Sequence, residues 1–436
     1  MTQGSDTIFA LSSGHPPSGV AVIRLSGPGS RFALETIAAG LPPARLASLR
    51  KLTDPRSAAE IDRGLVIWFP APASFTGEDC AEFHVHGGVA VVAAMLAALA
   101  GLPGLRMAQA GEFSRRAFEN GRLDLTELEG LADLVAAQTE VQRRQAVAQA
   151  GGALRRKIEA WRERIIAMRA SVEADFDFAD EDGVPDDVSA GVWGKAGELG
   201  AEMRRFLEDG NAGEIIRSGF QIVLMGPPNS GKSSLLNALA RRDAAIVSPE
   251  AGTTRDIVEV SLDLAGFKVV LVDTAGIRET QGLVEQEGMR RARERARAAD
   301  LVIWLTPIND ANDAPEPGLA SPVLQVRSKD DSGALREGSV SVVRQSGLDW
   351  LIGEITRQVS SKGLAIESAA VTRARHRESL LSCAGLLEEA AGSHTLAPEV
   401  RSELLRSAGD EIGRITGKVD VEDLLDRIFS EFCIGK

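Results

Sequence analysis

The spacing of apolar residues changes character three times along the chain. Up to about residue 120, short apolar runs are cut by Gly, Pro and Ser. "VAVIRLSG" from Val20, "GLVIWFPAP" from Gly64 and "AEFHVHGG" from Ala81 read as strands bounded by turn residues. The Ala-rich "VAVVAAMLAALAGL" from Val89 predicts a buried helix, so this part reads as a small α+β domain. From Asp124 to about Leu207 the period becomes helical. Leu125, Leu128, Leu131, Ala132 and Val135 form one stripe, opened by a predicted capping box at Thr126 and Glu129. The Arg- and Glu-laced "ALRRKIEAWRERIIAMRASVEA" continues that period until the acidic "DFDFADEDGVPDD" interrupts it.

From Phe220 to about Val359 strands and helices alternate. The predicted strands are "FQIVLM", "VEVSLDL", "FKVVLV", "LVIWL", "PVLQV" and "VSVV". In the second, Val258, Val260, Leu262 and Leu264 alternate with Glu259, Ser261 and Asp263, and the Ala265-Gly266 turn predicts a hairpin with the third. Thr372 to Lys436 is helical again. The expected organisation is an N-terminal α+β domain over 1–121, a helical domain in two parts over 122–215 and 372–436, and an inserted α/β domain over 216–371.

Composition narrows the function classes. A net charge of −13 over 436 residues argues against a general nucleic-acid coat, so any RNA contact needs a local basic patch. The runs "LRRKIEAWRER" and "MRRARERARA" are candidates for phosphate contact, or are solvated helix faces. The three cysteines, Cys80, Cys383 and Cys433, are too scattered for a disulfide framework, which fits a reducing, cytoplasmic setting. "MTQGSDTIFA" lacks a secretory pattern, and the longest apolar run is too short to span a bilayer, so no membrane association is expected. Cys433 stands four places from the end, but Lys436 and the lack of a polybasic stretch argue against prenylation. His84 and His86 share a strand face without a third ligand nearby, which favours pocket lining over a metal site.

The strongest chemical signal is "GPPNSGKSS", a strand-to-helix loop with Gly226, Gly231, Lys232 and Ser233 at phosphate-loop spacing. Its glycines let backbone N–H groups face a β-phosphate, Lys232 meets the β/γ oxygens, and the Ser233 hydroxyl reaches Mg²⁺. "DTAG" closes an apolar strand, placing Asp273 for the magnesium water shell and the Gly276 N–H for the γ-phosphate. Thr254 of "GTTRD" is a candidate second Mg²⁺ ligand. In "RSKDD", Asp331 stands where an Asn-Lys-x-Asp loop reads guanine and Ser328 replaces the Asn; this favours GTP over ATP. Ile277 occupies the place of the usual water-orienting Gln, so hydrolysis must find that assistance elsewhere.

With "PPSGVAVIRLSGP", "FPAPASFTGEDCAEFHVHGG", "GEFSRRAFENGRLDLTELEGLADL", "AGTTRD", "DTAGIRET" and "FCIGK", the chain resembles the MnmE (TrmE) family of tRNA-modifying GTPases from end to end. The resemblance implies a folate-binding N-terminal domain, a discontinuous helical domain and an inserted Ras-like P-loop domain. It further implies a homodimer that joins the FAD-dependent MnmG (GidA). Together they would add an aminomethyl-type (carboxymethylaminomethyl) group to C5 of the wobble uridine of certain tRNAs, using the one-carbon unit of 5,10-methylenetetrahydrofolate or a related folate.

Carried onto this sequence, the nucleotide would be held by Asn229, Ser230, Gly231, Lys232, Ser233 and Ser234 and by Ser248, Pro249, Glu250, Ala251, Gly252, Thr253 and Thr254. Asp273, Thr274, Ala275 and Gly276 would complete the phosphate side, with Ser328, Lys329, Asp331 and Ser341 around the base. Asn229, Ser248, Glu250 and Thr253 would bind K⁺, supplying the charge an arginine finger gives elsewhere, and Ser233 and Thr254 would bind Mg²⁺. Glu285 would orient the attacking water. Folate would meet Arg24, Glu82, Arg122 and Lys436. Cys433 would act in tRNA modification, as a nucleophile or thiol shuttle or as a buried packing residue. The sequence departs from the family at Ser328, at Ser341-Val342-Val343 where Ser-Ala-Lys is usual, and in a short Pro-rich segment after Leu305. A competing reading is an RNA-binding switch GTPase of the ribosome-assembly type; a third is a scaffold with a degenerate site. "CIGK" and the folate-type domain oppose the second, and intact Lys232, Ser233 and Asp273 oppose the last.

Overall fold

The computed structural model describes residues 6–177, 190–208, 211–242, 244–246, 259–273, 293–310, 315, 321–332, 336–362, 371–392, 396–419, 425, 428–429 and 435. The chain forms two compact units, residues 1–132 with 413–436, and residues 133–412.

In the first unit, β1 (Thr7–Leu11), β2 (Ser18–Ser26), β3 (Ser48–Thr53), β4 (Glu60–Phe69), β5 (Cys80–Gly87) and β6 (Leu105–Met107) make a sheet of order β3-β4-β5-β2-β1-β6. Only the β1–β6 pair is parallel. β1, β3 and β6 escaped the sequence reading because each is short and gains its place only by pairing. The period of two sorts side chains onto faces. Ile23, Leu25, Phe83 and Val85 join Phe9 in a core covered by α1 (Ser30–Ile37) and α2 (Val89–Ala100) through Leu34, Ile37, Met95 and Leu99. The intervening Arg24, Glu82 and His84 therefore lie on the other face, where Ile8 and Ala10 pack with Phe113 of α3 (Glu112–Glu119).

Helix α4 (Leu125–Ala136) starts one residue before the expected capping box. Asp124 is its cap, accepting from the Glu127 N–H at 2.8 Å, while the Asp124 N–H donates back to Glu127 at 2.9 Å. Thr126 lies buried inside the helix with its hydroxyl on Asp124, so the reciprocal pair is Asp124 and Glu127. Leu125 and Leu128 bury against Ile428 and Phe429 from the chain's end, whereas Val135 stays exposed.

The second unit combines helices α5 (Glu140–Ala150), α6 (Ala153–Asp177), α7 (Ala190–Glu208) and α8 (Ala212–Ser218) with a sheet. Strands β7 (Phe220–Met225), β8 (Glu259–Leu264), β9 (Phe267–Asp273), β10 (Leu301–Pro307) and β11 (Val323–Ser328) take the order β11-β10-β7-β9-β8. Only β8 runs antiparallel, in the expected hairpin with β9. Helices α9 (Lys232–Ala240) and α10 (Leu348–Ser361) cover the sheet, and α11 (Ala374–Gly392) and α12 (Pro398–Thr416) follow. The sixth predicted strand, "VSVV", does not form: Ser341 bridges only to Ser346, and Val343 stands 82% exposed in the turn between them. Val340 enters the core of the sheet and Val342 packs partly against it, but the Ser341–Ser346 bridge turns the chain before a strand can extend.

Asp133 of α4 joins the two points where the chain passes into and out of the α/β part. Its Oδ1 accepts from Arg217 at the end of α8 (3.0 Å) and from Arg373, just before α11 (3.1 Å). Arg377 reinforces this by pairing with Glu214 at 3.3 Å. Asp133→Ala is expected to lower unfolding free energy by about 2 kcal/mol, because two partly buried guanidinium groups lose their acceptor. Urea denaturation checks this, and a change under about 0.5 kcal/mol would show the contact to be incidental.

Candidate functional site

The α/β part builds one site at the C-terminal ends of its parallel strands, where open sheets of this kind gather ligands. β7 ends at Met225 and the chain crosses β10 at Gly226, where φ is +140° and an added Cβ would stand 2.1 Å from the Leu305 carbonyl oxygen. Only glycine fits there. Asn229 (φ 59°) and Gly231 (φ 94°) turn the loop so that α9 begins at Lys232. Backbone N–H groups of the loop and of the helix start thus converge on one point.

The Lys232 side chain is buried to 9% exposure, and its ammonium donates to the carbonyls of Gly226 and Pro227, both at 3.0 Å. The Leu224–Asp273 register in the β7–β9 pair sets Asp273 beside the loop. There its Oδ2 accepts from the Ser233 hydroxyl at 2.6 Å. A hydroxyl and a buried carboxylate side by side suit a hard divalent cation.

The other candidate residues, those expected around a base, lie at the end of β11. The Ser328 hydroxyl donates to the Ser230 carbonyl at 2.6 Å, fastening this loop to the phosphate loop. Thus Ser328 makes a link between the two loops although a longer amide is absent. Lys329 takes a left-handed backbone (φ 59°), and the Ser341 hydroxyl donates to Asp331. The structure therefore brings together Ser230, Lys232, Ser233, Asp273, Ser328, Lys329, Asp331 and Ser341 around one loop system. Ser248 to Thr254, Thr274 to Gly276 and Glu285 lie outside the described residues.

The first unit carries a separate charged cluster. Arg24 and Glu82 are direct cross-strand partners in β2 and β5. The guanidinium donates to Glu82 Oε1 from Nε (3.1 Å) and Nη2 (3.0 Å), and lies 5.2 Å from the Phe75 ring centroid. His84 Nε2 is 3.0 Å from Glu82 Oε2. The His84 hydrogen bond, aided by Arg24 and opposed by burial, holds the Glu82 carboxyl below the ordinary glutamate value, so it is ionised at neutral pH. Arg122 runs along the same loop as Phe75, its stem beside Gly77. The chain's end returns to this unit: the Ser12 hydroxyl donates to the Gly435 carbonyl at 2.8 Å, and a Cβ on Gly435 would stand 2.1 Å from the Leu11 carbonyl oxygen. Cys433 and Lys436 lie outside the described residues.

Phe75 and Asp330 carried no signal in the sequence. His84, expected with His86 to line a pocket rather than bind a metal, stands beside Glu82, two residues away on the same strand face. His86 instead pairs with Asp62 at 2.8 Å, and no group of metal-ligating side chains occurs among the described residues. In the first basic run, Lys157 and Arg164 are paired with Glu202, and farther along α6 Arg169 is paired with Glu173. Among the described residues, no helix is long and apolar enough to cross a membrane.

The family profile described as "MnmE helical domain" matches residues 125–433, and "GTP-binding protein TrmE N-terminus" matches residues 7–122. Among similar proteins, "tRNA modification GTPase MnmE" of Sinorhizobium medicae (strain WSM419) is 50% identical over 442 residues, covering 100% of both chains. The protein of that name from Parvibaculum lavamentivorans (strain DS-1) is 52% identical over 440 residues, covering 99% of this chain and 100% of the relative. Full-length identity at this level, joined to the two family profiles, places the chain in the MnmE family of tRNA modification GTPases.

Proposed function

We propose that this chain hydrolyses GTP with Mg²⁺ and K⁺ and couples that hydrolysis to building the carboxymethylaminomethyl group at C5 of the wobble uridine of certain tRNAs. The observation that carries the reading is the joined phosphate and base loops, with Lys232, Ser233 and Asp273 at one end and Asp331 at the other. Lys232 balances charge on the β- and γ-phosphates, and the helix start supplies N–H donors. Ser233 and Thr254 would hold Mg²⁺, with Asp273 ordering its water shell. Asn229, Ser248, Glu250 and Thr253 would hold K⁺, a fixed positive charge at the developing phosphate charge. Glu285 orients the attacking water, in place of the absent glutamine at Ile277.

In the first unit, Arg24, Glu82, Arg122 and Lys436 would bind a folate, which supplies the one-carbon unit. A pterin offers an N–H pair that suits the ionised Glu82, and its glutamate tail suits cations. Cys433, two residues before Gly435, serves the modification in this reading. The working assembly is a homodimer joined to the FAD-dependent MnmG in the cytoplasm.

GTP turnover should be at least about tenfold faster in KCl than in NaCl. Asn229→Gly, which tolerates the left-handed backbone and removes the side chain with its carboxamide, should abolish that difference. Equal wild-type rates in both salts would move the reading to a switch GTPase that needs an outside activator. Separately, Glu82→Gln should weaken folate binding by about tenfold or more in calorimetry while leaving GTP turnover unchanged. Unaltered folate affinity would remove Glu82 from that site.

A further inference from the structure

The base-reading loop contains two adjacent carboxylates, and only Asp331 stands at the spacing that reads guanine. Asp330 is 2% exposed and is turned into its own loop. Its Oδ2 accepts from the Arg336 backbone N–H at 3.0 Å and from the Ser339 hydroxyl at 2.7 Å. That hydroxyl is also 2.6 Å from the Arg336 carbonyl. Oδ1 of Asp330 accepts from the Ser332 hydroxyl at 2.7 Å. These partners lie in the segment that leads from Asp331 to Ser341.

The same segment is drawn back onto the end of β11. The Arg327 N–H donates to Gly338 (2.9 Å) and the Val340 N–H donates to Arg327 (2.7 Å). The next residue, Ser341, then presents its hydroxyl to Asp331. The loop so held is unusual in two ways: Ser328 stands for an asparagine, and after the buried Val340 the chain turns at Ser341, leaving Val343 exposed, instead of extending as a strand.

We infer that Asp330 is a positioning residue for guanine recognition: it folds the segment after Asp331 so that Ser341 orients the Asp331 carboxylate toward the base. This rests on the reading of Asp331 as the guanine acceptor. The Arg336 N–H and the Ser339 and Ser332 hydroxyls hold the Asp330 carboxyl at about 2, so its contribution is fixed geometry rather than a titration near neutral pH. Asp330 touches its own loop in every contact named here, and its effect on the nucleotide passes through Ser341 and Asp331.

Fluorescence titration of the full chain with labelled GDP and with labelled IDP, which lacks the 2-amino group, tests the inference. Asp330→Ala should weaken GDP binding by about tenfold and narrow the preference for GDP over IDP, because a misplaced Asp331 no longer meets the 2-amino group. Asp330→Asn should stay within about threefold of the wild type: its carboxamide oxygen can still accept from Arg336 and Ser339. Asp331→Asn provides the separate control, since swapping an acceptor for a donor should move preference to xanthosine diphosphate.

If that control switches specificity while Asp330→Ala keeps GDP affinity and the GDP-to-IDP ratio within about twofold, the inference is wrong and the guanine reading stands. Equal losses for GDP and IDP would likewise reduce Asp330 to a structural role and overturn it. Failure of Asp331→Asn to switch overturns the reading beneath it. Should Asp330→Ala not fold, Ser339→Ala, which removes one donor to the carboxylate, decides by the same ratio.

Discussion

The nucleotide site depends on β7 lying between two parallel neighbours. Pairing with β9 sets Leu224 opposite Asp273, and pairing with β10 brings Met225 beside Trp304. At the next residue the chain must pass over the Leu305 carbonyl with no room for a Cβ. Given that crossing, the phosphate loop leaves the sheet in one direction, α9 starts at Lys232, and Ser233 arrives against Asp273. The parallel β10–β11 pair then ends with Pro307 beside Ser328, within reach of Ser230. Register between buried strands thus sets distances among groups far apart in the chain.

A different periodicity organises the first unit. Alternation along β2 and β5 sends Ile23, Leu25, Phe83 and Val85 to the core and leaves Arg24, Glu82 and His84 together on the opposite face. A carboxylate flanked by a guanidinium and an imidazole stays ionised although partly buried, because the cost of desolvation is offset by charge-assisted hydrogen bonds. The carboxyl-terminal segment belongs to this unit as well. Ile428 and Phe429 bury with Leu125 and Leu128, and Gly435 rests against the end of β1.

Insertion of an α/β element into a helical one requires two chain crossings, and here a single carboxylate serves both. Arg217 precedes β7 by three residues and Arg373 precedes α11, yet both donate to Asp133. Ion pairs of this kind contribute modestly to stability but demand defined geometry.

Much of this was legible in the linear chain. The four parallel strands, the β8–β9 hairpin and the phosphate loop follow from apolar runs, turn residues and glycine spacing, which act over a few neighbours. The family resemblance rested on motifs that likewise need no long-range contact. Tertiary structure alone decided the rest. "VSVV" has strand composition and Val340 enters the core, yet the chain turns at Ser341, whose hydroxyl meets Asp331, and leaves Val343 exposed. The cap of α4, by contrast, is a local choice: Asp124 pairs with Glu127 three residues on, ahead of Thr126. The role of Ser328 comes from the Ser230 carbonyl, a partner that only folding brings near. Local pattern specifies which elements form; which polar groups meet depends on register and loop closure, and these are set by packing between distant segments.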